Sequence, residues 1–238
     1  MNEGYELVQF GLRGVSDTRS ALSVWSRQFP RIEPSFVETD EDGDTRAGGG
    51  FGELWLEILH QKHRVDFFVL GDDPSSSARQ EVALFGVDNG VFTEIEKLAC
   101  SAAETYECKA IDVLALHTRI ADDREGVVEV ARSVLKHVPI ATSVGEIELR
   151  LRGTYAASTA DDYPYLQEVN WRTGERSTSL IRGDPSDVKG PYVFALGCDI
   201  SLKTMKRDDP LPANHIEPLL SELFAKVRSI VNEATDAF

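Results

Sequence analysis

No run of eighteen apolar residues occurs in the sequence, so no helical membrane span is expected. Cysteine is scarce: Cys100, Cys108 and Cys198 form an odd set with no CxxC spacing, which fits neither a disulfide framework nor a zinc ribbon. Buried, reduced thiols are the expectation. Positive charge is also short, with 25 Lys+Arg against 40 Asp+Glu and a net charge of −15. Nucleic-acid and anionic-membrane binding both draw on clustered cations, so neither partner is expected. The opening stretch MNEGYELVQFGLRG has no basic n-region and no continuous apolar h-region, so a secretory signal is not expected and a cytoplasmic setting is.

Catalytic and ligand-binding signatures are missing as well. Neither GxSxG nor SxxK is present, and no cysteine has an electropositive sequence context. Asp40, Asp42 and Asp44 have the spacing that opens an EF-hand loop, but Thr45 and Phe51 stand where that loop needs Gly and Glu. His60 and His63 have no second pair to complete a metal site, and His117, His137 and His215 are scattered. The glycines at 48–50 and Gly52 open a strand, not a helix, so they are read as an unhindered bend and not a phosphate loop. Neither metal nor cofactor is expected, and no residue is assigned a catalytic role.

What the sequence does hold is enough apolar residue, 42% of 238, for a sizeable core. It also holds an internal echo. Residues 5–37 and 110–144 each open with an apolar strand, Glu6–Arg13 and Ile111–Ile120. Each then offers an N-cap, Ser16 or Asp17 in the first and Asp122 or Asp123 in the second. A helical stripe follows, Ala21, Leu22, Val24, Trp25 and Phe29 or Val127, Val130, Ala131, Val134 and Leu135. Each helix stops against a proline, Pro30 or Pro139. Further strands are predicted at Pro34–Glu38, Phe51–Leu59, Arg64–Leu70 and Val82–Val87, with residues 38–50 as a hairpin loop and a helix over 91–107. The second half predicts strands at Glu146–Tyr155, Leu166–Thr173, Ser177–Arg182 and Tyr192–Thr204. A long helix, Ile216–Ala234, closes the chain, with Asn214 as its cap and Pro218 in its first turn. The fold class is therefore α+β: two β-α-β-β-β-β-α units, 1–108 and 109–238, sharing a curved antiparallel sheet with helices on one side.

That order resembles the tandem repeat of the TATA-binding-protein-like fold, which implies a single saddle built from two copies. The chain is also similar to a sporadically distributed bacterial family without assigned function, in which the first helix ends near a Phe-Pro pair, here Phe29-Pro30. Neither resemblance carries functional residues.

An uncovered sheet face would be lined by alternate strand residues. Glu146–Arg152 alternates Ile147, Leu149 and Leu151 with Glu148, Arg150 and Arg152. Glu168 and Arg172 on the next strand, and Asp199, Ser201 and Lys203 on the last, extend that polar face. Trp55, flanked by Glu53 and Glu57, is placed on the same side in the first half. The candidate binding residues are thus Trp55, Glu53, Glu57, Arg150, Arg152 and Arg172. Charge is uneven too, with −11 over residues 1–107 and −4 over the rest. The expected function is a non-enzymatic, acidic protein-binding module with a basic protein partner, of immunity, antitoxin or phage-defence accessory type. The alternative is a small hydrolase or nucleotide-handling enzyme acting on the arginine strands. At physiological salt, tight duplex DNA binding is expected to be absent; a dissociation constant below about 1 µM with a steep salt slope in a filter-binding titration would overturn this.

Overall fold

The structure, a computed structural model, describes residues 2–15, 20–71, 84–86, 89–136, 146–158, 163–177 and 192–233. The elements follow as β1 (Asn2–Arg13), α1 (Ala21–Gln28), β2 (Phe36–Thr39), β3 (Thr45–Phe51), β4 (Leu54–Gln61) and β5 (Arg64–Leu70). Then come α2 (Asn89–Thr105), β6 (Ala110–Ala121), α3 (Arg124–Val134), β7 (Glu148–Ala157), β8 (Tyr163–Ser177), β9 (Tyr192–Thr204) and α4 (Ala213–Glu233). The fold is α+β. All nine strands join one open antiparallel sheet in the order β2-β3-β4-β5-β1-β6-β9-β8-β7.

Both halves contribute to that sheet without a break. Its seam is β1 against β6, and one hydrophobic cluster runs beneath both halves. Outward from the seam the first half places β1, β5, β4, β3 and β2, and the second places β6, β9, β8 and β7. Four strands are predicted after the second half's first helix; the described residues hold three. The predicted Ser177–Arg182 strand lies outside them, except that Ser177 closes β8.

Register assigns the two faces. Val8, Phe10 and Leu12 align with Val69, Phe67 and Val65 on one side and with Ala115, Val113 and Ile111 on the other. This row continues through Ile200 and Leu202 to Val169. All of these residues are buried, and the helices cover this face. Trp25 of α1 approaches Gly49, and Phe92 of α2 packs at 4.6 Å from Tyr5 and 6.1 Å from Phe224 of α4. The opposite face carries no helix among the described residues. Trp25, Leu220, Leu223 and Phe224 are buried as expected, whereas Phe29 is half-buried at the end of α1.

Several expectations need correction. Residues 45–50, which read as part of a hairpin loop, form β3 together with Phe51, and the predicted Phe51–Leu59 strand is divided by the turn at Gly52 and Glu53 into the end of β3 and the start of β4. Glycine weakens a strand by supplying no packing surface, but here aromatic rings replace the missing side chains. Phe36 lies over Gly48 on the uncovered face and Trp25 over Gly49 on the helix face, the latter 3.1 Å from where a Cβ would stand. The predicted Val82–Val87 strand is reduced, among the described residues, to a bridge in which Tyr5 and Phe85 exchange backbone hydrogen bonds of 3.0 and 2.9 Å.

Helix ends also differ. Ser20 caps α1, its hydroxyl accepting from the Ser23 amide at 3.3 Å, while Ser16 and Asp17 lie outside the described residues. Asp123 caps α3 as expected, accepting from the Gly126 amide at 2.7 Å. Helix α4 starts at Ala213, so Asn214 is inside the first turn and not its cap. Pro218 therefore falls beyond that turn and removes the donor for the Asn214 carbonyl. The core arrangement yields a direct test: Phe224→Ala and Trp25→Ala should each cost about 3–5 kcal/mol in chemical denaturation, through lost transfer energy and a residual cavity.

Candidate functional site

The uncovered face has three parts. At its centre the register places Gly11 of β1 opposite Asp66 of β5 and Asp112 of β6. Both carboxylates are almost fully buried, at 2% and 7% exposure. A buried carboxylate is tolerated only with charged or hydrogen-bonding partners, and each has them. Arg64 grips Asp66 with two nitrogens, one at 2.9 Å, and Gln9 donates to the same Asp66 oxygen at 2.9 Å. Arg13 Nη2 lies 2.7 Å from Asp112 and donates to the Thr204 carbonyl at 2.8 Å. Arg64 reaches Asp112 as well, at 3.7 Å, so one guanidinium links both acids.

Glycine at position 11 makes this possible, since a Cβ there would collide with the Asp66 carboxylate and crowd Arg64. Burial pushes the Asp112 carboxyl above its ordinary value, outweighing Arg13, Arg64 and Lys203, which pull it down. The Asp66 hydrogen bond in turn pushes the Arg64 guanidinium up. The cluster joins residues from three strands and was not legible as a site in the sequence. Its signal is a lone Asp in each of the apolar strands RVDFFVL and AIDVLAL, beside a glycine in a third.

The second part is the β7–β8–β9 end. Arg150 and Arg152 both face Glu168, at 3.4 and 3.1 Å, and Arg172 faces Asp199 at 3.0 Å. The arginine side chains are half exposed or more, so each pair adds little stability. The pairs do offset part of the positive charge there, two carboxylates facing three guanidiniums. The predicted alternation holds: Leu149 and Leu151 turn to the helix face, and Glu148, Arg150 and Arg152 to the other.

The third part is the opposite end. Trp55 of β4 is half-buried, donates from Nε1 to Glu57 Oε1 at 3.1 Å, and stacks with Phe36 of β2 at 6.4 Å and 14°. Glu53, predicted on the same strand, sits instead in the exposed β3–β4 turn, where Gly52 supplies a left-handed φ of 63°. The structure brings Trp55, Glu53 and Glu57 together, and Arg150, Arg152 and Arg172 together. It does not join the two groups. Six strand steps separate β4 from β7, roughly 29 Å at the usual inter-strand spacing.

The remaining chemistry is structural. Cys108 and Cys198 are buried, and burial pushes Cys108 up to about 12. Cys100 is half-buried and pushed up to about 11 by burial and by Glu96, Glu217 and Glu104. Such thiols are poor nucleophiles at neutral pH. Among the described residues no group of three or more His, Cys, Asp and Glu side chains could hold a metal ion, and no helix is long and apolar enough to cross a membrane. No protein-family model matches the chain, and no curated protein matches it.

The central cluster generates two expectations. Gly11→Ala should displace the Asp66–Arg64 pair and lower stability by about 1–3 kcal/mol in urea unfolding. Asp112, with a raised native value, keeps its proton over a range in which the unfolded chain has lost it. Its contribution to stability is therefore present at low pH and fades as pH rises through that range. Asp112→Asn should gain relative to wild type across the same interval and then level off; a difference that falls with rising pH would show the opposite shift.

Proposed function

We propose that the chain is a non-enzymatic, acidic protein-binding module whose contact surface is the Trp55 end of the uncovered sheet face. The supporting observation is the stacked Phe36–Trp55 pair, half-exposed and bordered by Glu38, Glu53 and Glu57. Aromatic side chains combine large contact area with a directional polar group, and tryptophan is prominent among residues that dominate interface energy. The surrounding carboxylates, in the half of the chain carrying −11, select a basic partner. An immunity, antitoxin or phage-defence accessory role fits this reading, the acidic surface occupying the basic surface of an effector.

The arginine end supports an enzyme less well. Arg150, Arg152 and Arg172 each face a carboxylate, so an anionic substrate would have to displace Glu168 or Asp199. The shared strand order outward from the β1–β6 seam supports reading the halves as copies of one unit, as in the TATA-binding-protein-like saddle. With a native partner in a pull-down and titration, Trp55→Ala should weaken binding by at least about 2 kcal/mol while leaving the melting temperature nearly unchanged. Arg150→Glu, at the far end, should leave binding intact. The reverse pattern would move the interface to the arginine strands.

A further inference from the structure

Among the described residues, strand β2 is the outer strand of the sheet at its first-half end and pairs only with β3. The Asp40 amide donates to the Asp44 carbonyl at 3.0 Å, which sets the hydrogen-bonded phase of this hairpin. In that phase Phe36 and Glu38 direct their backbone groups toward β3, and Val37 and Thr39 direct theirs outward. Beside this edge lies a groove of about 530 Å³ between α1 and β2. Leu22, Ile32 and Val37 line it with 41%, 51% and 47% exposure. They are three of the five large apolar side chains exposed among the described residues. Their clustering on one groove marks it as an interaction surface.

Charge identifies the occupant. Glu33 lines the groove, Glu38 lies on β2, and Asp40, Glu41 and Asp42 form the adjoining turn, all exposed. Among the described residues none of the five makes an ion pair, against two nearby guanidiniums, Arg31 and Arg46. A second copy is a poor match. Paired antiparallel, two β2 edges would set the acidic turn of each copy beside Glu33 of the other, like charge against like, and the arginines beside the far edge, β7, are engaged by Glu168.

We propose that β2 accepts an extended, basic segment of a partner protein as an added strand. Alternate apolar side chains of the segment fill the groove at Leu22, Ile32 and Val37. The intervening lysines or arginines face Phe36, Glu38 and the acidic turn. Main-chain bonds to Val37 and Thr39 supply affinity and the period-two pattern supplies specificity. This rests on the protein-binding reading above and adds the partner's chemistry and docking mode.

The test is selection of a phage-displayed library of random twelve-residue peptides against the full chain, followed by synthesis of the enriched peptide. The expected consensus alternates apolar with basic residues. On binding, amide exchange at Val37 and Thr39 should slow at least tenfold in the wild-type protein. Raising salt from about 50 to about 500 mM should weaken binding several-fold, by screening. Leu22→Asp and Val37→Asp, checked for unchanged melting, should weaken it at least tenfold. No enriched consensus, or unchanged exchange at both amides, overturns the proposal. So does a dimer, seen by sedimentation, that Val37→Asp dissociates, because the edge would then belong to a second copy. If native-partner capture fails with Trp55→Ala but survives Leu22→Asp and Val37→Asp, strand addition is wrong and the surface reading stands. If capture survives all three, both fail.

Discussion

The pairing of β1 with β6 is the constraint on which the other elements depend. Eleven register pairs, from Asn2–Ile120 to Arg13–Ala110, bind the opening strands of the two halves. They are about a hundred residues apart, so closing the intervening chain costs roughly 4 kcal/mol in length-dependent entropy. Burying two or three side chains such as Phe10, Leu12 and Val113 offsets that, at about 1.5–3 kcal/mol each. A slip of one residue would turn Val8, Phe10 and Leu12 to the uncovered face and Gln9 and Arg13 into the core. Register here is therefore set by both faces at once.

The same seam contains a bulge between Tyr5 and Leu7. It turns Tyr5 toward the helices, where it packs against Phe92 and against His117 at 5.0 Å, while Leu7 keeps to the other face. Beyond the bulge, regular pairing aligns Gly11 between two aspartates. A packed core on one face thus dictates where charge is buried on the other. The Asp66–Arg64–Asp112–Arg13 group is read as a register lock: breaking it by removing one partner leaves an uncompensated buried charge.

Elements with a clean period were legible. Alternation located β7, and helical stripes located α2 and α4. Residues 45–50 read as loop because strand propensity is carried there by neighbours: Phe36 and Trp25 cover Gly48 and Gly49 from opposite faces, and neither is close in sequence to the glycines it covers. The site was half-legible for a related reason. Period two correctly assigned Trp55, Glu57, Arg150 and Arg152 to one face, but period says nothing of strand order, and order is what places Trp55 and Arg150 at opposite ends. The buried Asp66–Asp112 cluster requires order and register together, so only its isolated aspartates and Gly11 were visible beforehand.

The two ends of the sheet show one protective device used in two ways. Exposed edges invite pairing with other chains, and charged side chains discourage it. At β7 two arginines, Arg150 and Arg152, share Glu168 and stand on the same face as Glu148, so two positive charges meet two negative ones and a ten-residue edge is blunted with little net charge. At β2 the edge is only four residues long, and its neighbouring carboxylates stay exposed and of one sign. In a chain of net charge −15, that field repels further copies of the same molecule while attracting cations over about a Debye length. On the proposed reading, an edge guarded in this way disfavours self-association and favours a basic segment, with the apolar groove beside it selecting among such segments.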